Sequence, residues 1–138
     1  MAKKTWKEKF ESGKPPVNKR IDKTFGDMPE GSMMRISSPQ EIQETLYTLP
    51  KGKRITSKEL RQLLAKPNGA DHTCPMTTSI FLRVVAELAW EEHLAGKPLE
   101  ELPPFWRAIE PDTPLAKKLV CGVDALIKMR TEESKDAR

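Results

Sequence analysis

At 138 residues, 37% hydrophobic and 32% charged, the chain has one domain's worth of core under a well-solvated surface. It contains no apolar run near the ~18 residues of a membrane-spanning helix, Met1-Ala2-Lys3-Lys4 lacks the apolar stretch of a secretory leader, and Cys74 and Cys121 are too few for a disulfide framework. The expectation is a reduced, cytoplasmic monomer with no membrane partner. The formal charge of +4 is unevenly spread. Residues 1–24 carry eight Lys/Arg against three acids, and residues 51–66 carry six against Glu59, a local +5 in each. The remainder is net acidic, so two basic segments on a near-neutral body suggest a polyanionic partner. Solvated surface lysines are the other reading of the same charge.

Residues 1–36 form a basic, irregular N-terminal extension, broken by Gly13, Pro15, Pro16, Gly26, Pro29 and Gly31. A short helix around Thr5–Glu11 is expected, with Trp6 and Phe10 one turn apart and able to dock on the body; the rest is expected to be extended or mobile. The ordered domain spans 37–131. Ser38 caps its first helix, with Pro39 at the first helical position and Glu41 placed as in a capping box. Ile42, Leu46 and Leu49 mark the buried face, and Pro50 stops it. "PKGKRIT" reads as a turn with a short extended piece. Ser57 caps the next helix, with Leu60, Leu63 and Leu64 buried and Lys58 and Arg61 facing out. "KPNGAD" is a loop.

Cys74-Pro75 opens a longer helix. Phe81, Val84, Val85 and Leu88 form its apolar face. Ser79, Arg83, Ala86 and Trp90 fall opposite, giving an outward face of small residues around one arginine. The helix ends by Gly96. A Pro-rich connection follows, with one extended segment at Phe105–Ile109 and a helical turn at Leu115–Leu119. Gly122 precedes a last helix with Val123, Leu126 and Ile127 apolar, and the charged tail 132–138 is expected to fray. The result is mainly α with a short strand or two, and its basic turn and outward helix match a helix-turn-helix module. A bundle of four or five helices fits the same periodicity.

Four pieces, in order, resemble the C-terminal domain of O6-alkylguanine-DNA alkyltransferases and the related alkyltransferase-like proteins. They are "LYTLPKGKRITSKELRQLL", "FLRVVAEL", "LPPFWRAI" and "LAKKLVCGVDALIKMRTEE", spread between residues 46 and 133 of the 138. The resemblance implies a winged helix-turn-helix-like domain that binds double-stranded DNA, at the nucleoid when bound, without a cofactor. Arg83 matches the family's arginine finger, which fills the gap left by a turned-out guanine. Pro104 and Arg107 match the Pro and Arg of the Pro-Cys-His-Arg-Val signature. Phe105 stands where the nucleophilic Cys belongs and Trp106 where its His belongs, so the site has no nucleophile and suicide alkyl transfer there is excluded. Alkyltransferase-like proteins also lack that Cys, bind damaged bases without repairing them, and pass them to other repair proteins. Ser57 stands where the family often has a Tyr that helps rotate the phosphate.

The resulting expectation is a non-enzymatic DNA-binding protein of the alkyltransferase-like type that recognises alkylated guanine for DNA repair. Arg83, Ser79, Thr77 and Thr78 would face the groove, and Lys51, Lys53, Arg54, Ser57 and Lys58 the phosphates. Phe105, Trp106 and Arg107 would line the base pocket. Two alternatives remain open: alkyl or acyl transfer through Cys74, whose place at a helix N-terminus beside His72 favours thiolate, and a protein-interaction adaptor. No metal site is expected, since His72 and Cys74 would need further ligands.

Overall fold

Thr5, Ser38, Thr56 and Thr113 each begin a helix for one reason: the hydroxyl accepts the backbone N–H three residues on, at 3.1, 3.2, 3.1 and 3.3 Å. The computed structural model describes residues 5–136. The helices are α1 (Trp6–Glu11), α2 (Pro39–Tyr47), α3 (Ser57–Ala65), α4 (Pro75–Leu94), α5 (Pro114–Lys118) and α6 (Gly122–Asp136). Three short strands, β1 (Val17–Arg20), β2 (Met33–Ile36) and β3 (His72–Thr73), form one sheet in the order β1-β2-β3. β1 runs antiparallel to β2, with Val17 opposite Ile36; β3 runs parallel to β2, with Arg35 opposite Thr73. The protein is therefore mainly helical with a small three-stranded sheet.

Several expectations change. Most of the N-terminal extension is built into the fold: it supplies α1 and two of the three strands, and Asp71 anchors it by accepting the Met33 N–H at 2.8 Å. Lys3 and Lys4, also counted in the basic extension, lie outside the described residues. Thr56, not Ser57, caps α3, and Glu59 closes a full capping box with it. On α3 the roles of two residues exchange. Leu63 is 42% exposed, while Arg61 is buried. Arg61 goes inward because its charge is met there: Nε donates to the Thr73 carbonyl at 2.8 Å, and Nη2 to Asp27 at 2.8 Å. That arginine depresses the Asp27 pKa.

The segment Phe105–Arg107 is a 3-10 turn rather than a strand, tied to the 50–56 segment by the Ile55 N–H donating to the Arg107 carbonyl at 2.8 Å. The C-terminal tail does not fray at 132: α6 continues to Asp136, while Ala137 and Arg138 lie outside the described residues. Residues 66–74 connect α3 to α4 through a 3-10 turn and β3, which is longer than the three- or four-residue turn of a simple helix-turn-helix.

The largest revision concerns α4. Val84 and Val85 are buried as expected, but so are Leu82, Ala86, Glu87 and Ala89. Buried positions on every side make α4 the central helix, with α2 and α1 packed along it. Ala86, assigned to an outward face, is 1% exposed. The helix is open at its two ends, in the first turns at Met76, Ser79 and Ile80 and in the last at Glu91 and Leu94. The core runs from Ile42 and Leu46 on α2, through Leu60 and Leu64 on α3 and the α4 residues, to Phe105, Ile109 and Leu126.

Candidate nucleic-acid interface

The 103–109 segment is held by one carboxylate. Trp106 Nε1 donates to Glu133 Oε2 at 2.5 Å, while Arg107 Nε and the Gly52 N–H donate to Oε1 at 2.7 and 2.5 Å. Arg107 Nη1 also reaches the Leu49 carbonyl at 2.5 Å. Burial raises the Glu133 pKa, but these donors outweigh it and hold the carboxyl below the ordinary glutamate value. Phe105 is fully buried and meets the Trp106 ring edge-on, with centroids 5.3 Å apart. As walls of a base pocket, Phe105, Trp106 and Arg107 are thus corrected. The two rings belong to the core, the guanidinium is spent on Glu133, and none of the three lines the clefts described below. Glu133 falls in the charged tail that the sequence leads one to expect to fray, so the tail's composition hides its role. Its signal was there: it follows Leu126 and Met129 at helical spacing on the buried face of α6.

The next residues along the chain do form a cleft. Ala108, Ile109, the 110–113 loop and the start of α5 face the start of α4 and α3 across a cavity of about 390 Å³. Leu82, Ile109 and Leu115 give it apolar walls, and Ser57, Ser79 and Glu110 are among its polar groups, with Arg61, Thr78 and Thr113. A second cavity, of about 350 Å³, shares Ser79, Pro114 and Leu115 with the first and is bordered by Arg83, Lys118 and Trp6. The two adjoin at these shared residues and make up a trough beside the open first turns of α4.

Arg83 sits at one end of this trough. Its Nε lies 3.4 Å from Glu87 Oε2, its Nη2 donates to the Lys118 carbonyl at 3.2 Å, and 35% of its side chain is exposed. The guanidinium also lies 5.2 Å from the Trp6 ring, which Lys9 approaches at 4.3 Å. Glu87 is 2% exposed and spends its carboxylate chiefly on the Val120 N–H, at 3.1 Å. Arg83 is therefore held by weak, partly solvated contacts.

The remaining predicted residues are dispersed. Thr78 is buried and donates to the Cys74 carbonyl at 2.6 Å, so it serves the helix start. The Thr77 hydroxyl is buried without a partner among the described residues. Ser57 borders the trough. Lys51, Lys53 and Lys58 are exposed, but no residue of 51–54 lines either cavity of the trough. Arg54 is drawn to α6, where it donates to Ser134 Oγ at 2.8 Å and the Arg130 carbonyl at 3.2 Å.

Cys74 is 7% exposed and starts α4 without a side-chain capping bond. It does not line the trough. Burial first, then Glu87, pushes the Cys121 thiol up, away from thiolate. Among the described residues no group of three His, Cys, Asp or Glu is placed to hold a metal ion, and no helix is long and apolar enough to cross a membrane. No known protein family, curated protein or solved structure matches the chain. Chemically, the trough has neither thiol nor imidazole on its walls; Leu82, Ile109 and Leu115 can hold a flat, partly apolar group, hydroxyls and the Glu110 carboxylate border it, and Lys9, Arg83 and Lys118 bring positive charge to one side.

Proposed function

We propose that the chain is a non-enzymatic DNA-binding protein of the alkyltransferase-like kind, bound to duplex DNA along the open first turns of α4. One observation carries the reading: a base-sized cleft without a nucleophile lies beside Ser79 and Arg83, immediately after the segment that resembles the alkyltransferase signature. In this reading α3 and α4 act as the helix pair of a winged helix-turn-helix, with residues 66–74 as an enlarged turn. Ser79 is small enough for close approach of a groove wall. Arg83 leaves its loose contacts with Glu87 and Trp6 and enters the duplex, and a turned-out base is received between Leu82, Ile109 and Leu115. The base pocket is thus moved from Phe105 and Trp106 to the residues that follow them. The hydroxyl of Ser57 and the amides at the start of α3 face the flanking phosphate. No covalent step follows, because the cleft has no group to accept an alkyl carbon.

The test is equilibrium binding of duplexes with and without O6-alkylguanine, measured across salt. The wild type should bind with a salt-dependent affinity and favour the modified duplex. Arg83→Ala should weaken binding by about tenfold, the lower part of the range for a groove-inserting arginine. Ser79→Trp should fill the trough and hold the groove wall off α4, weakening binding to both duplexes and removing the preference for the modified base. Equal, weak and salt-insensitive binding by all three proteins would sink the proposal.

A further inference from the structure

On the side of α3 away from Arg61, a third cavity of about 550 Å³ runs between the end of α2, the 50–55 turn and the outer face of α3. Its floor is apolar, made by Leu49, Pro50, Ile55 and Leu63. Leu63 is 42% exposed, where the amphipathic pattern of α3 calls for burial against the core. Its neighbours Leu60 and Leu64 fill that core. Leu63 is therefore a hydrophobe left over after the domain has packed. Lys53 stands on the turn side of the groove, and Lys58 and Lys66 stand on the helix side. Lys58 and Lys66 lie two turns apart, roughly 12 Å along the axis. The one acid there, Glu59, is occupied by its capping box with Thr56.

We propose that this groove docks an acidic amphipathic helix from another protein. The floor suits apolar side chains at helical spacing, and the rim of three lysines suits carboxylates flanking that stripe. A DNA backbone would use the lysines alone and leave the floor of Leu49, Ile55 and Leu63 unused. The groove shares no lining residue with the trough on α4, so a partner here and DNA there are compatible. The inference does not depend on the DNA-binding reading.

The probe is a fluorescein-labelled peptide of about 16 residues, roughly 24 Å as a helix, with leucines on one stripe and glutamates on its flanks. A peptide of the same composition, shuffled to break the stripe, is the control. Anisotropy with the full chain, without DNA, should give saturable binding of the striped peptide alone. Leu63→Asp and the Lys58→Glu/Lys66→Glu double variant should each weaken it by about tenfold or more, as for truncation of a central anchor. Both sites are exposed, so a circular dichroism melt like that of the wild type is expected. Raising salt should weaken the binding only in part, since the stripe persists when the lysines are screened. Equal binding of the shuffled peptide, or no effect of Leu63→Asp, would overturn the proposal. So would a short DNA duplex displacing the peptide, with DNA affinity lost in the Lys58→Glu/Lys66→Glu variant; that result would make the groove a nucleic-acid surface.

Discussion

Among the described residues two arginines are held to buried glutamates, and they differ in almost every other respect. Around Glu133, Arg107 sits at 2.7 Å, with Trp106 and the Gly52 N–H completing the carboxylate's partners. Three chain segments meet there, and each oxygen faces a donor. Around Glu87, Arg83 lies at 3.4 Å with a third of its side chain exposed, while the carboxylate's closer partner is a backbone N–H. The same pair of residue types builds a lock in one place and a loose tether in the other. Burial of both partners, together with completion of the hydrogen bonds, separates the two cases. The difference also says where movement is cheap: Arg83 can leave at little cost, whereas Arg107 cannot.

Breaking the lock should have the largest effect. Glu133→Ala strands Arg107, the Trp106 indole N–H and the Gly52 amide at once, and should cost about 3–5 kcal/mol, the range for removing one partner of a buried pair. Urea unfolding measures it, and a loss under about 1 kcal/mol would show that the carboxylate is dispensable. The same group gives a pH signature. Its folded pKa is depressed, so its stabilisation is complete above the unfolded value of about 4.3 and lost as pH falls through the folded value. Unfolding curves from neutral pH down to about 3 should show a steeper acid loss for the wild type than for Glu133→Gln.

Glu87→Ala should come next. It removes the acceptor of the Val120 N–H, and because Val120 is 72% exposed water can take the carboxylate's place, so the cost should be about 1 kcal/mol. Arg83→Ala should come last, within about 0.5 kcal/mol of the wild type. If Arg83→Ala destabilised as much as Glu87→Ala, the tether would be a second lock and the insertion of Arg83 would lose its basis. A separate check addresses Cys74. Incubation with alkylated DNA followed by intact-mass measurement should show no mass gain, and a gain that vanished in Cys74→Ser would restore the enzymatic alternative.

The legible parts of the fold were those set by local chemistry. Ser38-Pro39 began α2, Thr5 and Trp6 placed α1, and Pro75 opened α4, because caps and prolines act over three or four residues. What escaped were partnerships across long separations. Arg61 looked like a surface residue on α3 because nothing nearby announced Asp27 or the Thr73 carbonyl. Two-thirds of the sheet fell in a stretch whose glycines and prolines read as irregular, since β1 is exposed along its whole length and carries no apolar alternation. The outward face assigned to α4 failed because α1 covers part of it, which the periodicity of α4 alone cannot express. At the candidate site, Ser79 and Arg83 do lie along one trough. The aromatic residues expected beside them lie in the core instead, Phe105 through apolar packing and Trp106 with its indole N–H on Glu133.

That carboxylate also sets an order of events during synthesis. Gly52 and Glu133 are separated by 81 residues, so the 50–54 turn emerges from the ribosome long before its acceptor exists. Until α6 arrives, the Trp106 indole and the Arg107 guanidinium are likewise without the group that fixes them. The middle of the chain must wait, partly assembled, for a residue near its end, and a contact of such range closes late and slowly. A chain cut short before residue 133 would keep its helices and most of its core, and would lose the one group that joins Gly52, Trp106 and Arg107.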